Sequence, residues 1–471
     1  PNALLIAAPF LALWAAAPAV AYWLSRSTAP ERRTLSLEDR MYLSGVAKKT
    51  WAFFEATSGP EHNGLHPDNV QEGRDPAIAP RTSPTNLGMG LLSTLAAHDF
   101  GLLDTATLAE RLDRTLTATE ALERHQGHLL NWYDTITQAP LAPRYVSTVD
   151  SGNLAGALLT LAAGCRAIAE EQASALRAQL LEIAERALAL ADGMDFSFLF
   201  DRKRQLFTIG YRLADAGGPG RADASFYDLL ASESRLASFF AIAKGDVPQS
   251  HWFHLGRLVV SVDGVPTLVS WSATMFEYLM PLLLMRSYPG TLLDQSCRRV
   301  LRKQIRYGRD RQVPWGVSES AYDLVDRLGN YQYKEFGVPG LGLKRGLADE
   351  LVVAPYATAL AAQILPNEAA RNLRRLEKLG ALGPLGFYEA IDFTPRGPEP
   401  TAIDGAPPYA SLVKTHMAHH QGMTLVALAN VVLDDVMIAR FHADPRIQAT
   451  ELLLQERIPR QAPILEPHSA E

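Results

Sequence analysis

The sequence predicts an all-α protein in which paired helices form an α/α toroid, and three observations lead to that prediction. Helical periodicity recurs in one segment after another from residue 37 onward. Several of these segments, such as residues 154–163 and 278–285, are apolar nearly all round, as expected of helices enclosed by a second layer. Alternation with β-branched residues is confined to short stretches, of which residues 205–211 and 258–262 are the clearest. We therefore expect a helical fold with a few short strands.

The individual helices follow from the spacing of the apolar residues. The predicted helices are residues 38–57, 85–99, 105–123, 152–171, 173–192, 224–243, 272–286, 291–307, 351–365, 367–379 and 417–442. No repeat of fixed period and no low-complexity linker divides them. We therefore predict a single domain over residues 26–471, with a cleft formed by the loops at one end of the inner helices.

Residues 1–25 differ from the remainder of the chain. The stretch 3–24 carries no charge and is long enough to cross a hydrocarbon core of about 30 Å. It predicts a membrane span, and without a basic leader we expect the end of a longer polytopic chain rather than a signal peptide. The arginines and lysines that follow predict that the domain lies on the cytoplasmic side. The alternative is a buried or interfacial hydrophobic arm kinked at Pro9 and Pro18.

Composition excludes several classes of function. The net charge of −6, without a Lys/Arg-rich block, argues against binding to nucleic acid and favours a neutral ligand. The sequence contains no glycine-rich phosphate loop, so we predict no nucleotide cofactor. His416 and His420 have a spacing at which zinc could bind, but no Glu stands between them as in HExxH, and no third ligand is evident. Cys165 and Cys297 are far apart in apolar segments, which indicates reduced core thiols. We therefore predict no metal and no cofactor.

Residues 314–336 contain the most distinctive chemistry. Glu319 lies between two serines and four positions after Trp315, so a sugar ring could stack on the indole while the acid meets its glycosidic oxygen. Three tyrosines that follow it, Tyr322, Tyr331 and Tyr333, offer further flat amphipathic faces. The alternative is a helix N-terminus that is capped by Ser318, with Trp315 packed in the core.

A second group of carboxylates lies in residues 223–235. On the predicted helix, Asp228 and Glu233 are five positions apart and do not share one face. Glu233 is either paired with Arg235 or held beside apolar surface with a raised pKa, as a general acid requires. Sequence alone leaves both possibilities open.

The other candidates for sugar contacts are polar and aromatic residues in the predicted loops and at the mouths of inner helices. They are Asn131, Trp132, Tyr133, Asp150, Asp223, Asp228, Trp271, Glu277, Phe387, Glu389, His419, His420 and Gln421. For Asp150 the alternative is a simple N-cap of the helix that starts near residue 152.

Eight blocks of sequence, taken in chain order, carry a family resemblance. They are residues 81–86 (RTSPTN), 131–134 (NWYD), 149–156 (VDSGNLAG), 223–236, 276–281 (FEYLMP), 315–322, 340–346 (GLGLKRG) and 417–423 (MAHHQGM). Together they closely resemble the glycoamylase-like middle domain of cyclic β-1,2-glucan synthases, over about residues 37–460. The apolar segment at residues 1–25 likewise resembles the membrane segment before that domain. Residues 214–221 depart from the charged segment expected there, which predicts a different cleft entrance and outer subsites.

This resemblance implies an (α/α)6 barrel that transfers linear β-1,2-glucan chains onto themselves and thereby closes rings. It also implies a bacterial inner-membrane enzyme whose barrel is on the cytoplasmic side. The implied partners are a glycosyltransferase portion and a phosphorylase-like portion of a longer synthase.

Glu233 and Glu319 match the two acids that the resemblance implies. Ring closure with retention needs one carboxylate as nucleophile and one as acid and then base. We expect Glu319 as nucleophile and Glu233 as acid/base. Two alternatives remain open: an inverting endo-β-1,2-glucanase that uses the same acids, and a non-catalytic domain that only holds glucan.

Overall fold

A computed structural model of the protein describes residues 2–25, 35–72, 77–216, 218–396, 403–458 and 464–465. The chain forms two compact units, divided between Leu35 and Ser36. The first contains one apolar helix, and the second contains all the other elements.

The described part of the chain is mostly helical with short strands, as predicted. Its helices are α1 (Asn2–Ser25), α2 (Leu37–Thr57), α3 (Pro84–Asp99), α4 (Thr105–Ala121), α5 (Thr148–Ala169), α6 (Ser174–Asp192), α7 (Arg235–Lys244), α8 (Ser250–His254), α9 (Met275–Leu279), α10 (Leu292–Asp310), α11 (Pro355–Ala362), α12 (Pro366–Lys378), α13 (Ala418–Val432), α14 (Val436–Phe441) and α15 (Pro445–Thr450).

Local chemistry explains where the main helices begin. The side chains of Ser36, Ser83, Ser147 and Thr291 each accept a hydrogen bond from the backbone N–H three residues later, which satisfies a donor that the first helical turn leaves free. Because Ser147 is the N-cap of α5, Asp150 lies in the first turn and is not the cap. Its negative charge there is favoured by the helix dipole.

Buried helices alternate along the chain with more exposed ones. All eight residues of α11 are buried, and α3, α5 and α13 are buried over most of their lengths. By contrast, α4, α6, α10 and α12 bury one stripe and present charged residues on the opposite face. Helix α3 packs against α5 and α13, α5 also packs against α6 and α7, and α13 also packs against α2 and α11.

The strands are short and form small separate sheets. They are β1 (Asn69–Gln71), β2 (Ala77–Ile78), β3 (Arg81–Thr82), β4 (Arg124–His125), β5 (His128–Leu129), β6 (Tyr133–Asp134), β7 (Tyr145–Ser147), β8 (Phe200–Asp201), β9 (Leu206–Thr208), β10 (Gly210–Arg212), β11 (Arg221–Ala222), β12 (Phe226–Tyr227), β13 (Val259–Val262), β14 (Val265–Leu268), β15 (Ser320–Val325), β16 (Tyr331–Lys334), β17 (Val352–Val353), β18 (Leu382–Gly383), β19 (Gly386–Phe387), β20 (Ala390–Asp392), β21 (Ser411–Val413), β22 (Thr415–Met417) and β23 (Ile464–Leu465). The predicted strand segments 205–211 and 258–262 correspond to β9, β10 and β13.

Several strands lead directly into buried helices. Strand β3 precedes α3, β7 precedes α5, β17 precedes α11 and β22 precedes α13. Pairing joins these strands to others far along the chain: β1 pairs antiparallel with β22, placing Val70 opposite His416, and β17 pairs with β20. Strands β15 and β16 form a hairpin in which Ala321 lies opposite Tyr333. The strands thus gather residues from distant parts of the sequence beside the N-termini of buried helices.

The structure corrects two predicted helices at their N-terminal halves. The segment 224–243 is helical only from Arg235, because residues 226–227 form β12 and the segment Ser232–Ser234 is a turn held by serine hydroxyl groups. Glu233 therefore lies in a turn, and the predicted helical spacing between Asp228 and Glu233 is wrong. The segment 351–365 begins with β17, and its helix starts only at Pro355.

Three further predictions on local structure also need correction. The segment 272–286 forms the short helix α9 followed by a 3-10 helix, Met280–Leu283, because Pro281 lacks an amide proton. The segment 417–442 is broken after Val432, where Asp434 and Asp435 adopt left-handed backbone conformations. Ser318 caps no helix, because the residues after it enter β15.

Helix α1 is 24 residues long, which corresponds to about 36 Å at the α-helical rise. Phe10, Leu13 and Trp14 are each at least 70% exposed. By length and hydropathy, the described helix that qualifies as a membrane span is α5, but most of that helix is buried and serves the core. The membrane role of residues 1–25 stays a prediction.

Candidate active site

Glu319 stands at the base of the β15–β16 hairpin, between buried Ser318 and Ser320. The hydroxyl group of Tyr333, across the hairpin, donates a hydrogen bond to Oε1 of Glu319 at 2.7 Å. The hydroxyl group of Tyr356 donates to the carbonyl oxygen of Glu319 at 2.9 Å. One bond thus orients the carboxyl group and the other fixes the backbone that carries it.

Glu233 lies in the turn that precedes α7. The Ser232 hydroxyl donates to Oε2 of Glu233 at 3.1 Å. Arg235 is fully buried, but its guanidinium group donates to the carbonyl oxygens of Ser232, Glu277 and Tyr278 rather than to Glu233. Of the two possibilities that the sequence left open, the structure therefore favours an unpaired Glu233 with a raised pKa.

The two carboxyl groups share an environment that disfavours two negative charges. Burial raises the pKa of Glu233 to about 7, with a further contribution from Glu277. Burial also raises the pKa of Glu319 to about 8, and the charge of Glu233 is the next largest cause. Full ionisation of both groups near neutral pH is therefore disfavoured, and the charge of Glu233 favours the protonated form of Glu319.

Glu277 is a supporting residue beneath this site. Its carboxyl group accepts hydrogen bonds from the Ser270 hydroxyl and from the backbone N–H groups of Trp271, Ser272 and Thr274. It also forms a capping box with Thr274 at the start of α9. Glu277 is buried among these donors and thereby orders the turn that presents Trp271, and its contact with sugar stays a prediction.

Glu389, His420 and Tyr356 form a buried group beside Glu319. Nδ1 of His420 lies 2.8 Å from Oε1 of Glu389, and its Nε2 lies 3.4 Å from the hydroxyl oxygen of Tyr333. The ring of Tyr356 stacks on that of His420 with centroids 3.6 Å apart. Burial raises the pKa of Glu389 to about 7 and lowers the pKa of His420 well below its usual value. Both shifts favour the neutral forms of the two groups.

A polar strip begins at Asp150, in the first turn of α5. Its carboxyl group accepts a hydrogen bond from the Thr85 hydroxyl and, when the Asn131 amide is oriented so that both of its ends find partners, a second bond at 3.0 Å from that amide nitrogen. The Asn131 amide oxygen in turn accepts a hydrogen bond from the indole of Trp132 at 3.2 Å. The guanidinium group of Arg81 lies 4.8 Å above the Trp132 ring. These side chains are held in fixed orientations, as a binding surface for sugar hydroxyl groups requires.

Aromatic and acidic side chains also meet around β12 and the turn before α9. The indole of Trp271 donates to Asp228 at 2.9 Å, and its side chain is 44% exposed. Asp223 is half-buried and lies 3.4 Å from the hydroxyl group of Tyr145. Among the tryptophans predicted to contact sugar, Trp271 therefore has an accessible ring, and its hydrogen bond to Asp228 fixes the orientation of that ring.

Three aromatic residues that were predicted to contact sugar are buried in the structure. Tyr133 is fully buried, and its hydroxyl group accepts from Leu130 and donates to the Glu123 carbonyl. Trp315 is 7% exposed and packs against Gly308, so the core-packing alternative is the correct one. Phe387 is also buried.

Other candidates on the hairpin and on α13 have mixed outcomes. Gln421 is buried and donates to the Phe387 carbonyl, which assigns it to packing. Tyr322 points to the hairpin face opposite to that of Tyr333 and contacts Phe336. Tyr331 is half-buried, and its backbone N–H donates to Gln71. His419 is half-buried with its ring 4.0 Å from that of His420, so it remains beside the site.

Tyr356 is the functional candidate that sequence reasoning missed. It lies within a segment predicted as a continuous helix, where one tyrosine is typical of core packing. The available signal was its position directly after Pro355, which marks a helix start and hence the mouth of an inner helix.

No group of three His, Cys, Asp or Glu side chains among the described residues has a geometry that could hold a metal ion.

Comparison with known sequences identifies two relationships. Residues 225–445 match the family model described as "Glycoamylase: Putative glucoamylase". The chain is 38% identical, over 98% of its length, to a part of cyclic beta-(1,2)-glucan synthase NdvB of Rhizobium meliloti strain 1021. The chain spans 20% of the length of that relative.

Solved structures resemble this fold. Endo-beta-1,2-glucanase from Chitinophaga pinensis is 14% identical with a TM-score of 0.68, over 90% of this chain and 99% of that one. Endo-beta-1,2-glucanase from Talaromyces funiculosus, in complex with sophorose, is 14% identical with a TM-score of 0.68, over 89% and 90% of the two chains. At these identities the likeness establishes a shared fold.

Proposed function

We propose that this chain, which carries a glycoamylase-like domain and matches one part of a cyclic β-1,2-glucan synthase over nearly all its length, closes linear β-1,2-glucan into rings by transglycosylation. The observation that carries the proposal is the Glu233–Glu319 pair, in which both half-buried carboxyl groups have raised pKa values and the charge of Glu233 disfavours ionisation of Glu319. One ionised and one protonated carboxyl group is the state that a retaining glycosidase needs before reaction.

The causes of the raised pKa of Glu319 favour a division of roles opposite to the one expected from sequence, because burial and the charge of Glu233 both favour the protonated form of Glu319. Glu319, whose protonated form the charge of Glu233 favours, is the acid/base, and Glu233 is the nucleophile. The Glu233 carboxylate attacks the anomeric carbon, the glycosidic C–O bond breaks, and the Glu319 proton goes to the leaving glucan oxygen. A hydroxyl group of the same chain then gives its proton to Glu319 while its oxygen attacks the anomeric carbon. The bond to Glu233 breaks, which restores its carboxylate and closes the ring.

Cyclisation requires that the sugar hydroxyl group compete successfully with water for the glycosyl-enzyme. Tyr333, Tyr356 and His420 cover one side of Glu319 with ring surface. Trp271, held by Asp228, and Trp132, held by Asn131 and covered by Arg81, are the surfaces we assign to the glucan chain. A chain bound along these rings would place its own hydroxyl groups near the site and limit the access of water.

The architecture and setting of the domain form part of the same proposal. Buried α3, α5, α7, α9, α11 and α13 alternate with more exposed helices, which supports a closed (α/α)6 barrel with the site at its strand-lined end. The length of α1 supports an anchor in the bacterial inner membrane, with the second unit on the cytoplasmic side. Glycosyltransferase and phosphorylase-like portions of a longer synthase would supply and trim the linear glucan.

Hydrolysis is the second candidate, because the fold is shared with endo-β-1,2-glucanases. In that case an activated water would replace the sugar hydroxyl group, and the products would be linear reducing chains. The same carboxyl pair would serve, so only the products separate the two reactions.

The test is incubation of the chain with linear β-1,2-glucan, followed by mass spectrometry of the products. Products lighter by one water than the linear oligomers of the same size would support cyclisation. Linear products alone would replace it with hydrolysis. Unchanged glucan, despite measurable binding, would indicate a domain that only holds the polymer.

A further inference from the structure

Four side chains make a continuous line of polar contacts that ends at Glu319. Oε1 of Glu389 lies 2.8 Å from Nδ1 of His420, whose Nε2 lies 3.4 Å from the Tyr333 hydroxyl oxygen. The Tyr333 hydroxyl lies 2.7 Å from Oε1 of Glu319. Glu389 directly precedes β20, Glu319 directly precedes β15, Tyr333 lies in β16 and His420 lies in α13, so the line joins separate elements of the fold.

The direction of these hydrogen bonds follows from counting donors. Tyr333 has one hydroxyl proton, which can point either at Glu319 or at His420. If it points at Glu319, both contacts of Tyr333 are made only when Nε2 of His420 carries the imidazole proton and donates to the tyrosine oxygen. Nδ1 must then be an acceptor, so Glu389 must supply a proton to it.

The surroundings of Glu389 favour that protonated form. Glu389 is 2% exposed, and its Oε2 has no hydrogen-bond donor in the part of the chain that the structure describes. An ionised carboxylate would leave that buried oxygen charged and unsatisfied, at a cost that the neutral acid avoids. The backbone N–H of Ala321 lies 3.2 Å from Oε1 of Glu389 and can donate a hydrogen bond to the protonated or to the ionised carboxyl group. The charged and titratable groups facing Glu389 are His420, His419, His416, Asp68, Tyr333 and Tyr356.

Stacking fixes the imidazole in the required plane. The rings of Tyr356 and His420 are 3.6 Å apart and nearly parallel, at 9°. His420 is 1% exposed, so its ring has no room to turn over.

We propose that Glu389 and His420 are positioning residues, which hold the Tyr333 hydroxyl proton on Glu319 and so keep the acid/base carboxyl group in its working orientation. This inference rests on the role of Glu319 in the proposed function. Besides Tyr333, the titratable groups that face Glu319 are Glu233, Glu277, Glu335, Tyr227 and Tyr356.

The experiment uses the full chain labelled with nitrogen-15 at histidine and compares wild type with E389Q, E389A and Y333F. The matched control is E451Q, because Glu451 contacts Nδ1 of buried His442 in the same way but outside this line. The first readout is the ring nitrogen of His420 that carries the proton, determined by NMR. We expect the proton on Nε2 in wild type, E389Q and E451Q, because the Gln amide can still donate to Nδ1. In E389A we expect a shift toward Nδ1.

The second readout is the pH profile of kcat/KM on linear β-1,2-glucan. In Y333F the alkaline limb should move to higher pH, because a donor that stabilises ionised Glu319 is lost. E389A should lower kcat/KM by about tenfold and move the limb in the same direction, and E389Q should lose less. E451Q should match wild type.

Two results would overturn the proposal. One is a proton on Nδ1 of His420 in wild type. The other is an alkaline limb that stays in place or moves to lower pH in E389A, since loss of a nearby charge alone would lower the pKa of Glu319. Absence of turnover in the wild-type protein would contradict the proposed function, whereas the NMR result would still decide the direction of the line.

Discussion

Glu319 and Glu233 lie close enough for the charge on Glu233 to raise the pKa of Glu319, and neither carboxyl group has an ion-pair partner among the described residues. Two carboxyl groups in this state cannot both ionise near neutral pH. The pair can therefore act as one titrating unit, and each member can be tested separately.

Replacement of Glu319 by Gln is expected to abolish product formation, because the amide cannot deliver a proton to the leaving oxygen. A loss of at least about 100-fold in kcat is expected from removal of a general acid. Product yield by mass spectrometry is the measurement, and a thermal melt controls for folding. Turnover near the wild-type rate would remove Glu319 from the mechanism.

The pH profile of kcat/KM should be bell-shaped and narrow. The rate should rise as Glu233 ionises, near pH 7, and fall as Glu319 loses its proton, near pH 8. Initial rates on linear β-1,2-glucan in overlapping buffers would define both limbs. A plateau that extends down to pH 5 would show that Glu233 is not held in its protonated form by its surroundings.

Arg235 to Met should move the acid limb of that profile upward. The Arg235 charge lowers the pKa of Glu233. Removal of that charge should therefore let the Glu233 carboxyl group keep its proton to higher pH. The same change removes the guanidinium donor from three buried carbonyl oxygens, and should lower the free energy of unfolding by about 3 kcal/mol. Rate profiles and urea unfolding measure the two effects, and R235K is the control that keeps the charge. An unmoved acid limb in R235M would contradict this account.

Replacement of Trp315 by alanine should mainly lower stability, whereas replacement of Trp271 by alanine should mainly weaken glucan binding. W315A removes a buried ring and should lower the free energy of unfolding by about 3 to 5 kcal/mol. W271A removes a ring that is 44% exposed, so it should cost less stability but weaken glucan binding by about tenfold. Urea unfolding and calorimetric titration with linear glucan measure the pair. Strong glucan binding by W271A would exclude this ring from the binding surface.

Glu389 to Gln should change how stability depends on pH. The pKa of Glu389 is raised from 4.5 to about 7, so between these values the folded chain keeps a proton that the unfolded chain releases. The contribution of Glu389 to the free energy of unfolding is therefore present at low pH. It is lost as the pH rises toward 7, at about 1.4 kcal/mol per pH unit. The difference in unfolding free energy between wild type and E389Q should follow that slope. Parallel curves for the two proteins would show that Glu389 is ionised throughout.

Much of the fold could be predicted from the sequence, because the outer helices bury one regular stripe and the inner ones are apolar all round. Residues 38–57, 105–123 and 173–192 are predicted within a few residues of α2, α4 and α6. The prediction failed at residues 224–234. There serine hydroxyl groups bond to the turn and aromatic residues pair as a strand, and both effects override helical spacing.

The candidate site was predictable only in part. The aromatic residues near Glu319 in the sequence suggested an acid in a cleft, and in the structure one of them, Tyr333, donates a hydrogen bond to Glu319. The same pattern also suggested Trp315, but sequence spacing does not reveal which face of a ring is covered by a neighbouring helix. The link between His420 and Glu389 was equally beyond reach, because tertiary packing alone joins residues 31 positions apart on different elements.

The pairing of β1 with β22 has a consequence for folding. These strands are more than 340 residues apart, and α13 must dock on α2 and α3 before His420 can reach Tyr333. Contacts of such long sequence separation form late, after local helix pairs have collapsed. During synthesis the chain therefore gains Glu233 and Glu319 well before it can complete the group that supports them. Catalytic competence should appear only when α13 has left the ribosome.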